Sequence, residues 1–315
     1  IDDNVARHIE GFKPWESKPE KRGEPVETET ITVRHLLNHT SGLAPGIYVP
    51  SFVKRYEKWG DPAKLNLRDS LVSYLALDAV RNTRPGETMR YSCLNFITLQ
   101  AIIERVSGER LDHFAARNVF EPLGLKNTWY NPIDEREKPF AADAPIVPTS
   151  VEGGHLLKGE VHDPTARIVN RGVSGNAGLF STAEDLAVVA SMLMNGGVVR
   201  QPMAGVLGKM GFTTPVRLYS EQTIERFFQI PEIYVGQHTR ALGWDAAYDK
   251  GGCYGDLMTA DSVASHTGYT GTSMAIDTAE GVAVILLTNR VHPTDTGSLS
   301  RTRAVVSNIV MSALE

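Results

Sequence analysis

Cysteine is almost missing from this sequence: Cys93 and Cys253 are the only two in 315 residues. Two thiols cannot build a disulfide scaffold or a cysteine zinc cluster, so the chain has to hold itself together with an apolar core. Whether the two pair is left to the fold. Positive charge is not in excess either. Lys and Arg number 32 against 37 Asp and Glu, a formal net charge of -5, and no basic run supplies the electrostatic footprint of a nucleic-acid binder. Long apolar stretches are absent too. The longest, residues 282–287, is too short to span a bilayer as a helix. The chain opens on Ile1-Asp2-Asp3-Asn4 with neither an initiator Met nor a secretory leader, so it reads as cut at its start. No internal repeat or low-complexity tract is visible.

What is there is a succession of loops and amphipathic helices that changes character in its last third. Residues 12–30, rich in Glu, Lys and Pro, read as a surface loop. Residues 31–39 read as a short helix stopped by Thr40-Ser41-Gly42, where Gly tolerates a left-handed conformation. A long loop with Pro45, Gly46 and Pro50 follows, and helical spacing returns over 67–77. The clearest helix is 94–107, with Leu94, Ile97 and Ala101 on one face and Gly108 ending it. A further helix over 111–119 stops near Pro122-Leu123-Gly124. Residues 131–175 are mostly loop, long enough to form the wall or lid of a site. Ser181-Thr182-Ala183-Glu184 has the form of a capping box with Ser181 as N-cap, opening a helix that ends at Asn195-Gly196-Gly197. Residues 271–276 and 281–288 read as strands joined by the turn Asp277-Thr278-Ala279-Glu280, and 301–314 as a closing helix.

Four motifs then occur in a telling order: His35-Leu36-Leu37-Asn38-His39-Thr40-Ser41-Gly42-Leu43, Tyr91-Ser92-Cys93, Gly175-Asn176-Ala177-Gly178-Leu179-Phe180-Ser181-Thr182 and His266-Thr267-Gly268. Together they resemble the group of β-lactamase-like serine hydrolases that includes class C β-lactamases, DD-peptidases and carboxylesterases. The similarity covers nearly the whole chain. Gly159-Glu160-Val161-His162-Asp163 and Thr288-Asn289-Arg290-Val291-His292-Pro293 look like the bacterial branch sometimes found beside N-acetylglucosaminidases of cell-wall recycling.

The resemblance implies acyl transfer through a serine ester, which needs an activated hydroxyl, a proton acceptor and donors for the oxyanion. Tyr91 matches the general base of the Tyr-x-Asn motif. A tyrosine titrates near 10 when unperturbed, so that role calls for a neighbouring cation, which the family's lysine supplies. Cys93 stands where the family commonly has Asn, which removes an amide from the pocket. His266 replaces the lysine of β-lactamases and is expected to support Tyr91 and a substrate carboxylate. Thr267, Gly268 and Tyr269 border the same strand, with the Tyr269 N–H as an oxyanion donor, and Asn176 completes the expected substrate contacts. The nucleophile's Ser-x-x-Lys helix precedes the segment matched by Ile1-Asp2-Asp3-Asn4 in relatives, so it is expected upstream of Ile1. Ser51-Phe52-Val53-Lys54 fits the same pattern but comes after the His-Thr-Ser-Gly segment, follows Pro50 in what reads as an exposed loop leading to a short basic helix, and is the weaker candidate.

Two other classes compete. His35 and His39 at i, i+4, with His155, His162 and Asp163, invite a metal hydrolase, but the Glu of His-Glu-x-x-His is Leu36 here, and capping and packing explain the two histidines better. A binding module of the same fold, holding a peptidoglycan peptide without cleaving it, is the other alternative. The expected fold is α/β (α+β), β-lactamase/transpeptidase-like. Residues 1–13 and 231–315 form its part with an antiparallel sheet, residues 14–230 a mainly helical part, and the site lies between them. The expected partner is a small-molecule or peptide substrate, with no cofactor, no metal and no nucleic acid, in a periplasmic or secreted bacterial setting. An exposed sheet edge and groove left by the segment upstream call for an N-terminal fragment or another chain to cover them.

Overall fold

The computed structural model describes residues 1–19, 21, 24–57, 67–133, 145–203, 205–228, 240–246, 252–259 and 262–314. Part of the long loop, residues 134–144, and the expected boundary at 230–231 lie outside the described residues. Four helices enclose the first core: α1 (Val33–Leu37), α2 (Val49–Glu57), α3 (Leu67–Leu77) and α4 (Cys93–Ser107). Their inward faces close one apolar cluster, in which Leu36, Leu71, Leu75, Leu94 and Ile97 are essentially inaccessible and Val5 and Ile9 join from the chain start. Each such side chain contributes about 2 kcal/mol by leaving water. α4 is the expected central helix, burying Leu94, Ile97 and Ala101 and stopping where Gly108 takes φ 73°.

The last third forms a four-stranded antiparallel sheet. Its order runs from Val282–Leu286 through Ser273–Asp277 and Val263–Thr267 to the short edge strand Asp245–Ala246. Register places His266 opposite Met274 and Thr267 opposite Ser273. The closing helix Ser300–Ser312 packs Val306 and Val310 onto Val263, Ala275 and Val284. Asp277, fully buried at the strand end, accepts bonds from Thr259 N, Ser262 Oγ, Ala279 N and Glu280 N, so its turn is tied by one carboxylate. A third cluster joins Leu123, Met192 of the Ala183–Met194 helix and Ile224.

Four expectations are corrected. α2 begins at Val49 and includes Ser51, where a loop was expected. Pro50 is tolerated because a first-turn residue needs no N–H partner, and Phe52 anchors the helix against Tyr56 and Tyr74. α1 starts only at Val33 and ends at Leu37 with Asn38 as its C-cap, so His39 at φ 59°, and not glycine, makes the left-handed step. Gly42 serves a different need, since a Cβ there would lie 2.0 Å from the Thr83 carbonyl oxygen. The Ala183–Met194 helix is capped by Thr182, which accepts from Asp185 N, one residue later than expected. Ser181 instead bonds Thr128 Oγ1. The helix starting at Leu111 changes after Ala115 into a wider turn over Ala116–Phe120 and one more turn, Glu121–Leu123. Cys93 and Cys253 are both free thiols.

Candidate active site

Two walls meet at Tyr91. The first is helical. Tyr91 precedes Ser92, the N-cap of α4, whose hydroxyl is spent on the Ala44 carbonyl (2.6 Å) and not on the helix. Ser92 N and Asn95 Nδ2 both approach His39 Nδ1, at 3.2 and 3.0 Å, while Asn95 Oδ1 accepts from Ser41 Oγ at 2.5 Å. The His-Thr-Ser-Gly segment is thereby bolted to the helix that carries Tyr91. The His39 ring lies against Tyr91, with centroids 4.4 Å apart. His39 is only 1% exposed, and burial, helped by the charge of Arg240 and by His266, pushes its pKa down to about 3. Because Nδ1 accepts from Ser92, the neutral ring carries its proton on Nε2.

The second wall is the Val263–Thr267 strand and the turn after it. Gly268 N donates to Thr272 O (2.8 Å), and a side chain on Gly268 would strike Thr272 Oγ1. Arg303 Nη2 holds both the Gly268 and Thr272 carbonyls, at 2.9 and 3.0 Å. Arg290 Nε donates to the Tyr269 carbonyl (2.9 Å), its guanidinium lies 4.5 Å from the Tyr269 ring centroid, and it pairs with Asp295 at 2.6 Å. Asp295 also accepts from the Tyr269 hydroxyl (2.6 Å), and His162 stacks on the same ring. His266 reaches across to Tyr91 with ring centroids 6.3 Å apart. Burial lowers its pKa, Asp245 opposes this and Arg240 reinforces it.

Arg240 and Asp245 join the walls and were not anticipated from sequence. They face each other at the base of a tight turn, paired at 2.8 Å, and Gly243 N ties the turn to Leu37 O of α1 (3.0 Å). The Arg240 guanidinium sits 5.2 Å from the Tyr91 ring centroid. It is 7% exposed, and its Nε and Nη1 meet no hydrogen-bond partner among the described residues, as does His39 Nε2. No local pattern marks such an arginine. The one sequence signal is its place just ahead of the edge strand.

Tyr91 is thus flanked by a cation, yet its pKa is raised. Burial is the largest cause, Cys93 adds to it, and Arg240 only partly offsets them. Burial likewise raises the Cys93 thiol, and a hydrogen bond with Asn176 works against that rise. Asn176 is presented by a segment that docks on α4: Gly175 N donates to Gln100 Oε1 (2.9 Å), and Ser174 Oγ donates to Asn176 Oδ1 (2.6 Å). The amide that Cys93 lacks at its own position is therefore brought to it from another part of the chain.

A model of the beta-lactamase family matches residues 1–307. The chain belongs to the beta-lactamase family. It is 29% identical over 303 residues to an N-acetylmuramyl-L-alanine amidase of Bacillus subtilis, covering 92% of this chain and 62% of the relative. It is 27% identical over 312 residues to a putative D-alanyl-D-alanine carboxypeptidase of Salmonella paratyphi B, covering 93% of this chain and 63% of the relative. The chain thus spans less than two thirds of the length of these curated relatives. Among solved structures, an unliganded simvastatin synthase from Aspergillus terreus superposes with a TM-score of 0.66 at 17% identity, over all of this chain and 78% of that one. That likeness bears on the fold, which is that of β-lactamases and transpeptidases.

Within this beta-lactamase frame, Tyr91, Cys93, Asn176 and His266 come together, Tyr91 beside His266 and Cys93 hydrogen-bonded to Asn176, with Thr267, Gly268 and Tyr269 following His266 along the strand side. Ser51 and Lys54 are separate. Both are exposed on α2, and neither bonds Tyr91, Cys93 or His266 among the described residues. The charged groups acting on Tyr91 are Arg240, Asp245 and Asp163, and Lys54 is not one of them. The histidine pair read as a possible metal site is otherwise engaged. His35 Nδ1 accepts from Thr32 N (3.2 Å) in a capping box, and His39 Nδ1 is bound as above. No cluster of three or more His, Cys, Asp or Glu suited to a metal occurs among the described residues.

Proposed function

We propose that the cleft around Tyr91 is the proton-transfer half of an acyl-transfer site that cleaves an amide or ester through a serine ester. The observation that carries this reading is the approach of Tyr91 and His266, from opposite walls, to ring centroids 6.3 Å apart. Tyr91 Oη takes the proton of the attacking serine hydroxyl as its oxygen bonds to the substrate carbonyl carbon. The carbonyl oxygen becomes an oxyanion, received by the Tyr269 N–H as one donor. Tyr91 then returns the proton to the departing nitrogen or oxygen, and water later releases the acyl group. A neutral His266 donates or accepts a hydrogen bond beside Tyr91 and does not repel an incoming cation. With Arg240 alone, Tyr91 stays protonated, so the base is switched on by the lysine that accompanies the serine. Both belong, in this reading, to sequence outside residues 1–315. One relative is named for a muramyl–L-alanine amide and another for a D-alanyl-D-alanine peptide, which supports an amide of a cell-wall peptide as the substrate class, ahead of β-lactams and short-chain esters, and with it a periplasmic or secreted place of work. Nothing in the relatives or the structure supports completion by another chain, and that expectation is dropped.

Intact-mass analysis after treatment with a fluorophosphonate tests the reading, on residues 1–315 and on a form extended upstream. One adduct on the longer form and none on the shorter is expected. An adduct at Ser51 would overturn the assignment of the nucleophile, and an unlabelled longer form would overturn the hydrolase. The raised Tyr91 pKa favours one second reading, a binding module. Tight binding of a D-Ala-D-Ala peptide with no adduct on the longer form would establish it.

A further inference from the structure

Away from the cleft, the strands Val198–Pro202 and Thr213–Arg217 form a hairpin, with Val198 opposite Arg217 and Pro202 opposite Thr213. Its tip is ordered by its own backbone. Met203 N donates to Phe212 O (2.9 Å), Phe212 N donates to Leu207 O (3.0 Å), and the Gly205–Lys209 turn of helix lies between them. Gly208 packs so tightly there that a Cβ would sit 1.8 Å from the Met203 carbonyl oxygen. On this built tip the large apolar side chains face water. Val206 is 71% exposed, Met210 67% and Phe212 53%, with Met203 and Leu207 also exposed. None of them belongs to a core cluster.

The charge along the hairpin segment itself is one-sided, with Glu221 lying at its base beside Gly196. No Asp or Glu occurs from Leu186 to Ser220, while Arg200, Lys209 and Arg217 do, in a chain whose formal net charge is -5. Arg217 is held on the Gly196 and Tyr219 carbonyls at the hairpin base, and Arg200 and Lys209 make no ion pair among the described residues. Exposed Val, Leu, Met and Phe interleaved with cations and free of acids match the interfacial zone of an anionic bilayer, where apolar groups enter the acyl boundary and long cations reach phosphates. A second copy of the chain fits less well. A two-fold contact sets the patch against itself, cation facing cation, and the tip is small beside the roughly 1,200–2,000 Å² that stable interfaces bury.

We propose that Met203 and residues 205–212 dock on an anionic phospholipid surface, with Val206, Leu207, Met210 and Phe212 inserted and Lys209 and Arg200 on headgroup phosphates. The proposal is independent of the hydrolase reading, because no residue of the cleft takes part.

Co-sedimentation of the chain with phosphatidylglycerol/phosphatidylcholine vesicles and with pure phosphatidylcholine vesicles tests it. Binding to the mixed vesicles, weakened by salt and weaker on pure phosphatidylcholine, is expected. Lys209→Glu should reduce it at least about fivefold, and Met210→Ser with Phe212→Ser about tenfold or more. Phe212→Trp offers a readout that does not rely on loss of binding: the indole emission of that variant should shift to the blue on mixed vesicles and not on phosphatidylcholine. Failure of the chain to sediment with mixed vesicles, serine variants that bind as the parent does, or an unshifted emission from the Phe212→Trp variant would each overturn the proposal. So would a concentration-dependent dimer, seen without lipid and abolished by the serine pair, which would make the tip a self-contact.

Discussion

The two walls that meet at Tyr91 are held by different means. On the helical side, His39, Ser41, Ser92 and Asn95 are buried and joined by hydrogen bonds to one another and to the backbone at Leu43 and Ala44, so none of these bonds relies on water. On the strand side, Tyr269, Arg290 and Asp295 form an ion-paired and stacked cluster in which Tyr269 and Asp295 are open to solvent and Arg290 is half-buried. Burial makes a hydrogen bond expensive to lose, whereas water substitutes for an exposed one. The helical wall is therefore the rigid reference of the cleft and the strand wall its adjustable edge. Under the proposed reading, the contrast sets Tyr91 on the rigid wall and leaves substrate fitting to the exposed edge around Tyr269.

The largest effect should come from the atom the chemistry needs. In the longer, probe-reactive form, Tyr91→Phe is expected to slow acylation by about 10²- to 10⁴-fold while leaving the melting temperature nearly unchanged. A rate within a few-fold of the parent would remove Tyr91 from proton transfer and break the division between the walls. Next comes Asn95→Leu, which takes the acceptor from the Ser41 hydroxyl hydrogen, leaving that group only Leu43 N, and removes one of the two donors at His39 Nδ1. A loss of about 3 kcal/mol in urea unfolding is expected. A loss below about 1 kcal/mol would show that the helical wall is not the rigid one.

Much of this arrangement was open to reading from residues alone, in proportion to how local its causes are. α4 was legible because Leu94, Ile97, Ala101 and Gly108 state its face and its end within one stretch. The last two strands were legible from the tight turn after Asp277. The cap at Thr182 was displaced by one residue because Ser181 and Thr182 are both good N-caps followed by acids, and the choice is made by Thr128, which takes Ser181. A short basic helix was legible after Ser51, but the start of α2 at Val49 was hidden by Pro50, a tolerated first-turn residue. The pairing of Tyr91 with His266 followed from motif order, since a family resemblance carries long-range contacts with it. Arg240 over Tyr91 and the Asn176 amide beside Cys93 carry no such mark. Each depends on where a distant segment docks, and docking is decided by the whole fold.

The histidine of the buried wall supplies a pH test of intermediate size. Folding lowers the His39 pKa from 6.5 to about 3. Below pH 6.5 the unfolded chain therefore binds a proton that the folded chain refuses, and stability falls with acid across the window from about 6.5 to about 3. One such proton gives a slope of about 1.4 kcal/mol per pH unit, to which His35 and His266, also lowered chiefly by burial, add in the same direction. Urea midpoints should drop between about pH 7 and about pH 5, and the His39 ring signals in NMR should remain those of the Nε2–H tautomer until close to pH 3. Titration of His39 near 6.5 would mean that the wall opens to water.

The smallest effect is expected on the exposed wall and is the sharpest test of the contrast. Arg290→Ala removes the donor to the Tyr269 carbonyl, the cation over its ring and the partner of Asp295 together, yet Tyr269 is 65% exposed and the Asp295 side chain 36%, with Arg290 itself half-buried between them. No resolvable change in melting temperature is expected, because water and the remaining Tyr269–Asp295 bond take over. The turn that presents the Tyr269 N–H should loosen, and kcat/KM of the longer form should fall by about threefold, mainly through KM, as exposed pairs of this kind contribute little. A large fall in melting temperature would show that the strand wall is as tightly built as the helical one. A loss confined to kcat would place Arg290 in the chemistry and not at its edge.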